Sequence, residues 1–308
     1  MSSLADRIKI SQLYYRHGDS QDERNIFISK VDVDVPDYSE INLSVQFLLN
    51  CGSPLSCHGG SALHAYKFIQ DFGYVPYDTC QSYIACSSES QEGFCPHVDT
   101  SCSDINICKT CSRDANGVGH CEAVSFYIIV FPFSFLAMPH IYHVCSTSFE
   151  SLKLTSFPNA TVAEYGSYDL NDTVEMIMAE IYARGPVKAA VNGTAITEYQ
   201  GGIINDPSFA NMGHSHGVSL VGWGTDSSTD RKHWIVRNSW GQYWGEMGFF
   251  RVEMGSNLLG IESHLAWATP GRYSTWNFPC DEQGSNCKGR GSVSYVDPSN
   301  HMSLLEQQ

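Results

Sequence analysis

The stretch His233-Trp-Ile-Val-Arg-Asn-Ser-Trp-Gly-Gln-Tyr-Trp-Gly-Glu-Met-Gly-Phe-Phe-Arg-Val252 decides how this chain is read. Both of its ends have strand character, and the turn between them is dense in Gly and Trp. The first strand is expected to end at Asn238. Upstream, His216-Gly-Val-Ser-Leu-Val-Gly-Trp-Gly224 sets a histidine at the head of another apolar strand. A His and an Asn at the ends of neighbouring strands can face each other. The carboxamide oxygen then accepts one imidazole N–H and fixes the ring, leaving the other ring nitrogen for a third group. Trp240, two residues past Asn238, is placed to cover that hydrogen bond and exclude water. Alone, His216 reads as a satisfied core histidine and Asn238 as a turn former; together they point to chemistry.

Working outward, further strands are expected at Val187–Val191, Val218–Val221, His233–Arg237 and Gly248–Val252, after a helix at Asp172–Tyr182 that Arg184-Gly185-Pro186 ends. In the first half, Leu4–Tyr14, Ser44–Asn50 and Ala62–Phe72 read as helices, the last stopped by Gly73. Cys80–Cys121 is polar and cysteine-rich, so irregular structure held by disulfides is expected there. The pattern predicts an α+β fold with two segregated lobes: a helical, disulfide-rich lobe over 1–121 and a β-rich lobe over 157–268. Between them, 122–156 contains the apolar run Phe126–Met138, broken by Pro132. It is too short for a bilayer, which needs ~20 residues. We read it as an insertion foreign to the fold, a buried strand pair being the alternative; its Cys145 has no obvious partner. Residues 269–308, rich in Gly, Ser, Asn and Asp, read as a poorly ordered tail in which Cys280 and Cys287 can close a small loop.

The chain has 308 residues, 42% hydrophobic and 17% charged, which excludes a disordered chain. Its 18 basic against 33 acidic residues leave a net charge of −15, which argues against nucleic acid or an anionic membrane as partner. Most of the 12 cysteines lie between Cys51 and Cys121, and sequons stand at Asn42, Asn159, Asn171 and Asn192. Both features suit an oxidising compartment and a glycoprotein. Yet the first residues, Met1-Ser-Ser-Leu-Ala-Asp-Arg-Ile, do not form a signal peptide. The expectation is that the natural N-terminus lies further upstream.

With His216–Gly224, Asn238-Ser-Trp-Gly241 and Trp244-Gly-Glu246 in place, the sequence resembles the papain-like cysteine peptidases. Leu43-Ser-Val-Gln46 leading to Cys51, and Cys57-His-Gly-Gly60, extend the likeness. Met178-Ala-Glu-Ile-Tyr-Ala-Arg-Gly-Pro186 and Glu198-Tyr-Gln-Gly-Gly-Ile203, with the spacing of Cys102, Cys108, Cys111 and Cys121, narrow it to the cathepsin X/Z branch of that family. The resemblance implies a lysosomal or extracellular monomer that hydrolyses peptide or protein substrates, carboxypeptidase-like, without cofactor or metal. It makes His216 the base, Asn238 its orienting partner, Trp240 the shield, and Gly59 and Gly60 the lining of the substrate cleft. It also implies the pairs Cys51–Cys102, Cys80–Cys108 and Cys111–Cys121, leaves Cys86 and Cys95 to pair with each other, and strands Cys57. Ala189 and Leu265 stand where the family has one further disulfide. The family's Cys-Gly-Ser-Cys-Trp nucleophile block is not in these residues; Ala5-Asp6-Arg7-Ile8 implies that it falls just before Met1. Cys51-Gly-Ser53 imitates its start, but Pro54-Leu55 follow, so Cys51 reads as structural.

Rival readings come from the same residues. The chain as written can be a catalytically dead homologue that binds peptides. Gly213-His-Ser-His-Gly217 matches the nucleophile elbow of serine hydrolases, with Ser215 as nucleophile, provided a strand precedes it and a helix follows. His214 and His216 at strand spacing are possible metal ligands, though no third is evident. Cys102, Cys108, Cys111 and Cys121 have spacing compatible with zinc.

Overall fold

The structure is a computed structural model that describes residues 1–17, 42–114, 116–124, 157–169, 172–274 and 295–296, with side chains described for all of these but 12–17 and 295–296. The apolar run at 126–156, Cys145, Cys280 and Cys287 lie outside the described residues.

Apolar residues at helical spacing form α1 (Ser2–His17), which buries Leu4, Ala5 and Ile8. Helix α2 (Val45–Cys51) starts at Ser44, whose Oγ accepts the Phe47 N–H at 3.1 Å. Helix α3 (Ala62–Phe72) ends at Gly73, which takes φ +94° so that its N–H can close on the Ile69 carbonyl. A short helix α4 (Asp104–Ile107) follows. Helix α5 (Val174–Arg184) is capped by Thr173, whose hydroxyl accepts the Met176 N–H, and is stopped by Gly185 and Pro186.

The strands are β1 (Val75–Pro76), β2 (Lys109–Arg113), β3 (Gly119–Ala123), β4 (Asn159–Asp169), β5 (Val187–Val191), β6 (Ile203–Ile204), β7 (His216–Thr225), β8 (Lys232–Arg237), β9 (Phe249–Glu253), β10 (His264–Ser274) and β11 (Tyr295–Val296). All but β2 and β3 join one sheet in the order β1-β4-β10-β5-β7-β8-β9-β6, with β11 on β10. The hairpin β2–β3 stands apart, with Cys111 directly opposite Cys121. That hairpin is regular structure inside a region expected to be irregular.

Strands β4 and β10 form the longest pairing in the sheet, and neither was expected from the sequence. Their two faces serve different cores. Ala266, Ala268 and Tyr273 join Leu4, Ile8, Phe47, Tyr66 and Ile69 in the helical lobe. Leu265 joins Ile181, Val191, Trp234, Phe250 and Ile261 in the β-rich lobe. A strand buried on both faces shows no polar alternation, which is why the pattern missed it. The same sharing draws Phe157, Ala160 and Val162, from the segment 157–268 expected to form the β-rich lobe, into the helical lobe's core.

Several expectations are corrected. The poorly ordered tail does not begin at 269: β10 runs to Ser274, Tyr273 is fully buried, and the register shift at Pro270 accommodates a residue with no N–H to give. The Asn159 sequon is not a glycan site, since Asn159 is fully buried and its Nδ2 donates to the Phe157 carbonyl at 2.7 Å. The zinc reading fails as well. Its four thiols are spent in the disulfides Cys51–Cys102, Cys80–Cys108 and Cys111–Cys121, while Cys86–Cys95 closes a further loop. Among the described residues Cys57 is left as a free thiol, exposed. Also among them, no helix is long and apolar enough to cross a membrane.

One buried ion pair joins the lobes. Arg7 on α1 reaches Glu180 on α5 at 2.9 Å, with both side chains 1% exposed. Three further N–H groups go to the carbonyls of Pro186, Gly185 and Ala268 at 2.8, 3.1 and 3.3 Å. Glu180 is further held by Arg184 and the Tyr168 hydroxyl. Burial pulls the Arg7 guanidinium below its ordinary pKa, and Glu180 pulls it back. Removing one partner of such a pair strands the other in a dry site. Arg7→Ala should therefore lower the unfolding free energy by about 3–5 kcal/mol, and Arg7→Lys should recover only part, because one ammonium cannot serve all four acceptors. Urea unfolding followed by tryptophan fluorescence reads both; a loss under about 1 kcal/mol in Arg7→Ala would contradict the assignment.

Candidate active site

Strand alternation and register decide what meets at the cleft. Strands β7 and β8 are antiparallel with Ser219 opposite Arg237. His216 starts β7, and Asn238 is the residue after β8 ends. Their side chains meet, His216 Nε2 lying 2.7 Å from Asn238 Oδ1. The same oxygen accepts the Ser239 N–H at 2.8 Å, and the Asn238 N–H donates to Gly248. Because a carboxamide oxygen only accepts, Nε2 is the protonated nitrogen in this hydrogen-bond network. In the neutral ring the basic lone pair is then on Nδ1. The indole of Trp240 lies over the imidazole, ring centres 4.8 Å apart and planes at 30°, while its other side stays partly open to solvent. Trp244 meets Trp240 edge-on at 5.2 Å. The structure brings His216, Asn238 and Trp240 together in space.

The turn that carries them is fixed by glycines and one carboxylate. Gly245 has φ +56°, and a β-carbon there would come within 2.6 Å of the Phe249 carbonyl. Glu246 accepts from Arg251 Nε and Nη2 at 2.8 and 2.6 Å, and from the Gly202 N–H at 2.9 Å. Glu198–Ile203 and Trp244–Glu246, distant in sequence, are therefore halves of one structure.

A cavity of about 300 Å³ lies between the lobes, lined by Gly59, Gly60, Tyr66, Lys188, Gly217 and Ser219 among others, with Asn238 on its wall. Gly59 and Gly60, the expected lining of a substrate cleft, are among the residues on this cavity's wall. Gly60 is also confined by packing, since a β-carbon would reach Leu55 Cδ2 at 2.5 Å. A second cavity, about 370 Å³ and lined by Asp172, Asn211 and Glu262 among others, contains none of the expected site residues.

The rival constellations come apart. Ser215 is followed directly by strand β7 rather than by a helix, and its Oγ accepts the Gly193 N–H at 3.1 Å, so the elbow geometry is missing. His214 does not share a site with His216; its ring packs on His264, centres 4.2 Å apart. Burial first, and then the neighbouring His264 charge, lower the His214 pKa. Among the described residues no group of three or more His, Cys, Asp or Glu side chains is arranged to hold a metal ion. Sequence reasoning missed His264 and Lys188, which only the sheet brings to these positions.

Residues 32–269 match the model of the papain family cysteine protease, and the chain belongs to that family. Among its relatives, cathepsin Z of Onchocerca volvulus is 30% identical over 236 residues, 74% of this chain and 60% of that protein. Cathepsin B-like cysteine proteinase 4 of Caenorhabditis elegans is 29% identical over the same shares. The chain thus spans about 60% of the length of these relatives. Similar solved structures include bromelain from Ananas comosus with the E64 inhibitor, at 23% identity, 75% of this chain, 79% of that one and a TM-score of 0.47. Another is procathepsin L2 from Tenebrio molitor larval midgut, at 19% identity, 75% and 54% coverage and a TM-score of 0.49.

Two measurements probe this geometry. The His216 Nε2 proton should give a downfield, exchange-protected NMR signal that disappears in Asn238→Ala; in Trp240→Ala it should remain but exchange faster. For Glu246, the Arg251 hydrogen bonds hold the carboxyl below its ordinary value of 4.5. The folded state then binds fewer protons than the unfolded chain, so this stabilisation is present above that ordinary value and is lost as pH falls through the depressed one. Glu246→Gln should cost about 1 kcal/mol at neutral pH, and thermal melts should show the gap to the parent chain closing on acidification.

Proposed function

We propose that the cleft binds an extended peptide or protein substrate and is built for cysteine-type peptide-bond hydrolysis of the cathepsin X/Z kind. The observation that carries this is the 2.7 Å contact between His216 Nε2 and Asn238 Oδ1 beneath Trp240. A thiol presented at Nδ1 would give up its proton to His216, forming a thiolate–imidazolium pair. The thiolate attacks the scissile carbonyl, and the imidazolium returns its proton to the leaving amine. Water, activated by the same nitrogen, then releases the acyl group and restores the thiol. Asn238 keeps the ring aimed through both steps, and Trp240 limits water at the hydrogen bond that holds it. Gly59 and Gly60 let a substrate backbone approach closely. The chemistry calls for no cofactor. We assign the protein as a monomer of a lysosomal or extracellular compartment, in keeping with its disulfides.

The 308 residues do not contain a Cys-Gly-Ser-Cys-Trp block, and their described cysteines other than Cys57 are disulfide-bonded. As written, then, they are proposed to bind peptide without turning it over. In a serine protease the loss of the nucleophile alone costs on the order of 10⁶-fold in kcat.

A thiol-directed peptidyl epoxide and a serine-directed fluorophosphonate, each followed by intact mass, test this. Neither is expected to label the chain in a His216-dependent way. Labelling of Cys57 that disappears in His216→Ala would make that thiol a nucleophile and overturn the inactivity; stoichiometric labelling at Ser215 would overturn the cysteine-type reading.

A further inference from the structure

Strand β10 starts at His264. Leu265 faces the core of the β-rich lobe, so His264 points to the opposite face of the sheet, with Ala266 and Ala268. There it meets His214, which stands just ahead of β7 on a backbone pinned by Ser215. The Ser215 N–H donates to the Val191 carbonyl at 2.9 Å, and its Oγ accepts the Gly193 N–H at 3.1 Å. Both histidines are exposed, with ring centres 4.2 Å apart and planes inclined at 54°. Neither lines the cavity between the lobes.

The pair has lone pairs to offer. The histidine side chains engaged in hydrogen bonds or ion pairs are His64, His120, His216 and His233; among the described residues His214 and His264 have only each other. Burial first, then the charges of His264 and of Lys188 on β5, lower the His214 pKa from 6.5, so its ring is neutral at neutral pH. Asp169 stands opposite His264 in the β4–β10 register and sets a carboxylate on the same face of the sheet. Two imidazoles bound to one zinc-type ion, with metal–nitrogen distances of about 2.0–2.1 Å and angles between a right angle and the tetrahedral one, have ring centres about 4.5–5.3 Å apart. A small side-chain rotation takes the observed pair to that spacing. Its inclination also lets two ring nitrogens converge on one point, which a parallel stack does not.

We infer that His214 and His264 are the two protein ligands of an exposed, reversible site for a divalent ion of the zinc or copper class, with water in the remaining positions. Imidazole nitrogen suits zinc, copper and nickel, whereas calcium and magnesium take oxygen ligands. Among the described residues no third His, Cys, Asp or Glu side chain is arranged to join them. The site is therefore neither a structural zinc centre, closed by four protein ligands, nor a hydrolytic one with three. Asp169 contributes charge rather than a bond, on a chain whose net charge of −15 favours a cation. The site takes no part in the thiol chemistry proposed for His216 and stands or falls apart from it.

Isothermal titration of Zn²⁺ into the full 308-residue chain at neutral pH tests it, with Cys57→Ser as background so that the exposed free thiol does not compete. His214→Asn and His264→Asn should each lose one zinc equivalent, or weaken it at least ~10-fold, about 1.4 kcal/mol. The double variant should lose no more than either single one, since both rings serve the same ion. His216→Gln should keep that equivalent, an excess of Mg²⁺ should not displace it, and acidification should release it as the rings take up protons. Imidazole-nitrogen NMR of the background chain adds a readout that needs no ligand variant: Zn²⁺ should shift the signals of two histidines in parallel, and neither of them should be His216. Full retention of zinc in His214→Asn or His264→Asn would overturn the site. So would an equal loss in His216→Gln, or no zinc binding at all.

Discussion

Arg7 is the hinge pin of this molecule. It lies on the first helix, yet its guanidinium is spent on the far side of the lobe boundary, on Glu180 and on the carbonyls of Gly185, Pro186 and Ala268. A buried arginine tolerates no vagueness in its surroundings, because each N–H lacking an acceptor costs the full desolvation of that group. The arrangement therefore fixes α1 against the end of α5 and against β10. Asp6, one residue earlier, repeats the constraint at the surface by pairing with Arg237, which directly precedes Asn238. The placement of one helix is thus tied, residue by residue, to the strand end that carries the imidazole's partner.

The sheet does the complementary work. Strand β10 faces one core with Leu265 and the other with Ala266 and Ala268, so a single strand is structural wall to both lobes. The cleft opens where β5 and β7 turn their small or polar residues away from the β-rich core. Gly217 and Ser219 appear on the cleft side because Val218 and Leu220 are needed on the other. In a period-2 element the burial of one face dictates what the opposite face can show.

Residues whose meaning is local were legible in advance. Asn238, Trp240 and the glycines after them announce a tight turn between strands, and His216 announces the head of another, so their meeting follows from strand pairing alone. The helix ends at Gly73 and Gly185 are equally plain. Illegible were the residues whose role depends on a second, distant surface. Asn159 satisfies a glycosylation pattern but is buried under β10, which no tripeptide can reveal. Residues beyond 269 look like a tail, since Pro270 and Gly271 disguise the continuation of a strand whose partner lies over a hundred positions earlier. His214 pairs with His264 across a long separation rather than with His216 nearby.

By itself the sequence determined the family of the fold, the histidine–asparagine–tryptophan unit and an oxidising chemistry for its sulfurs, because each is carried by residue types at short, regular spacing. Tertiary structure alone decided that Arg7 would be buried across the lobe boundary, that β10 would serve two cores, and that His214 would pack on His264. Burial is a property of what packs on top, and no stretch of chain carries that information until the other stretch has arrived.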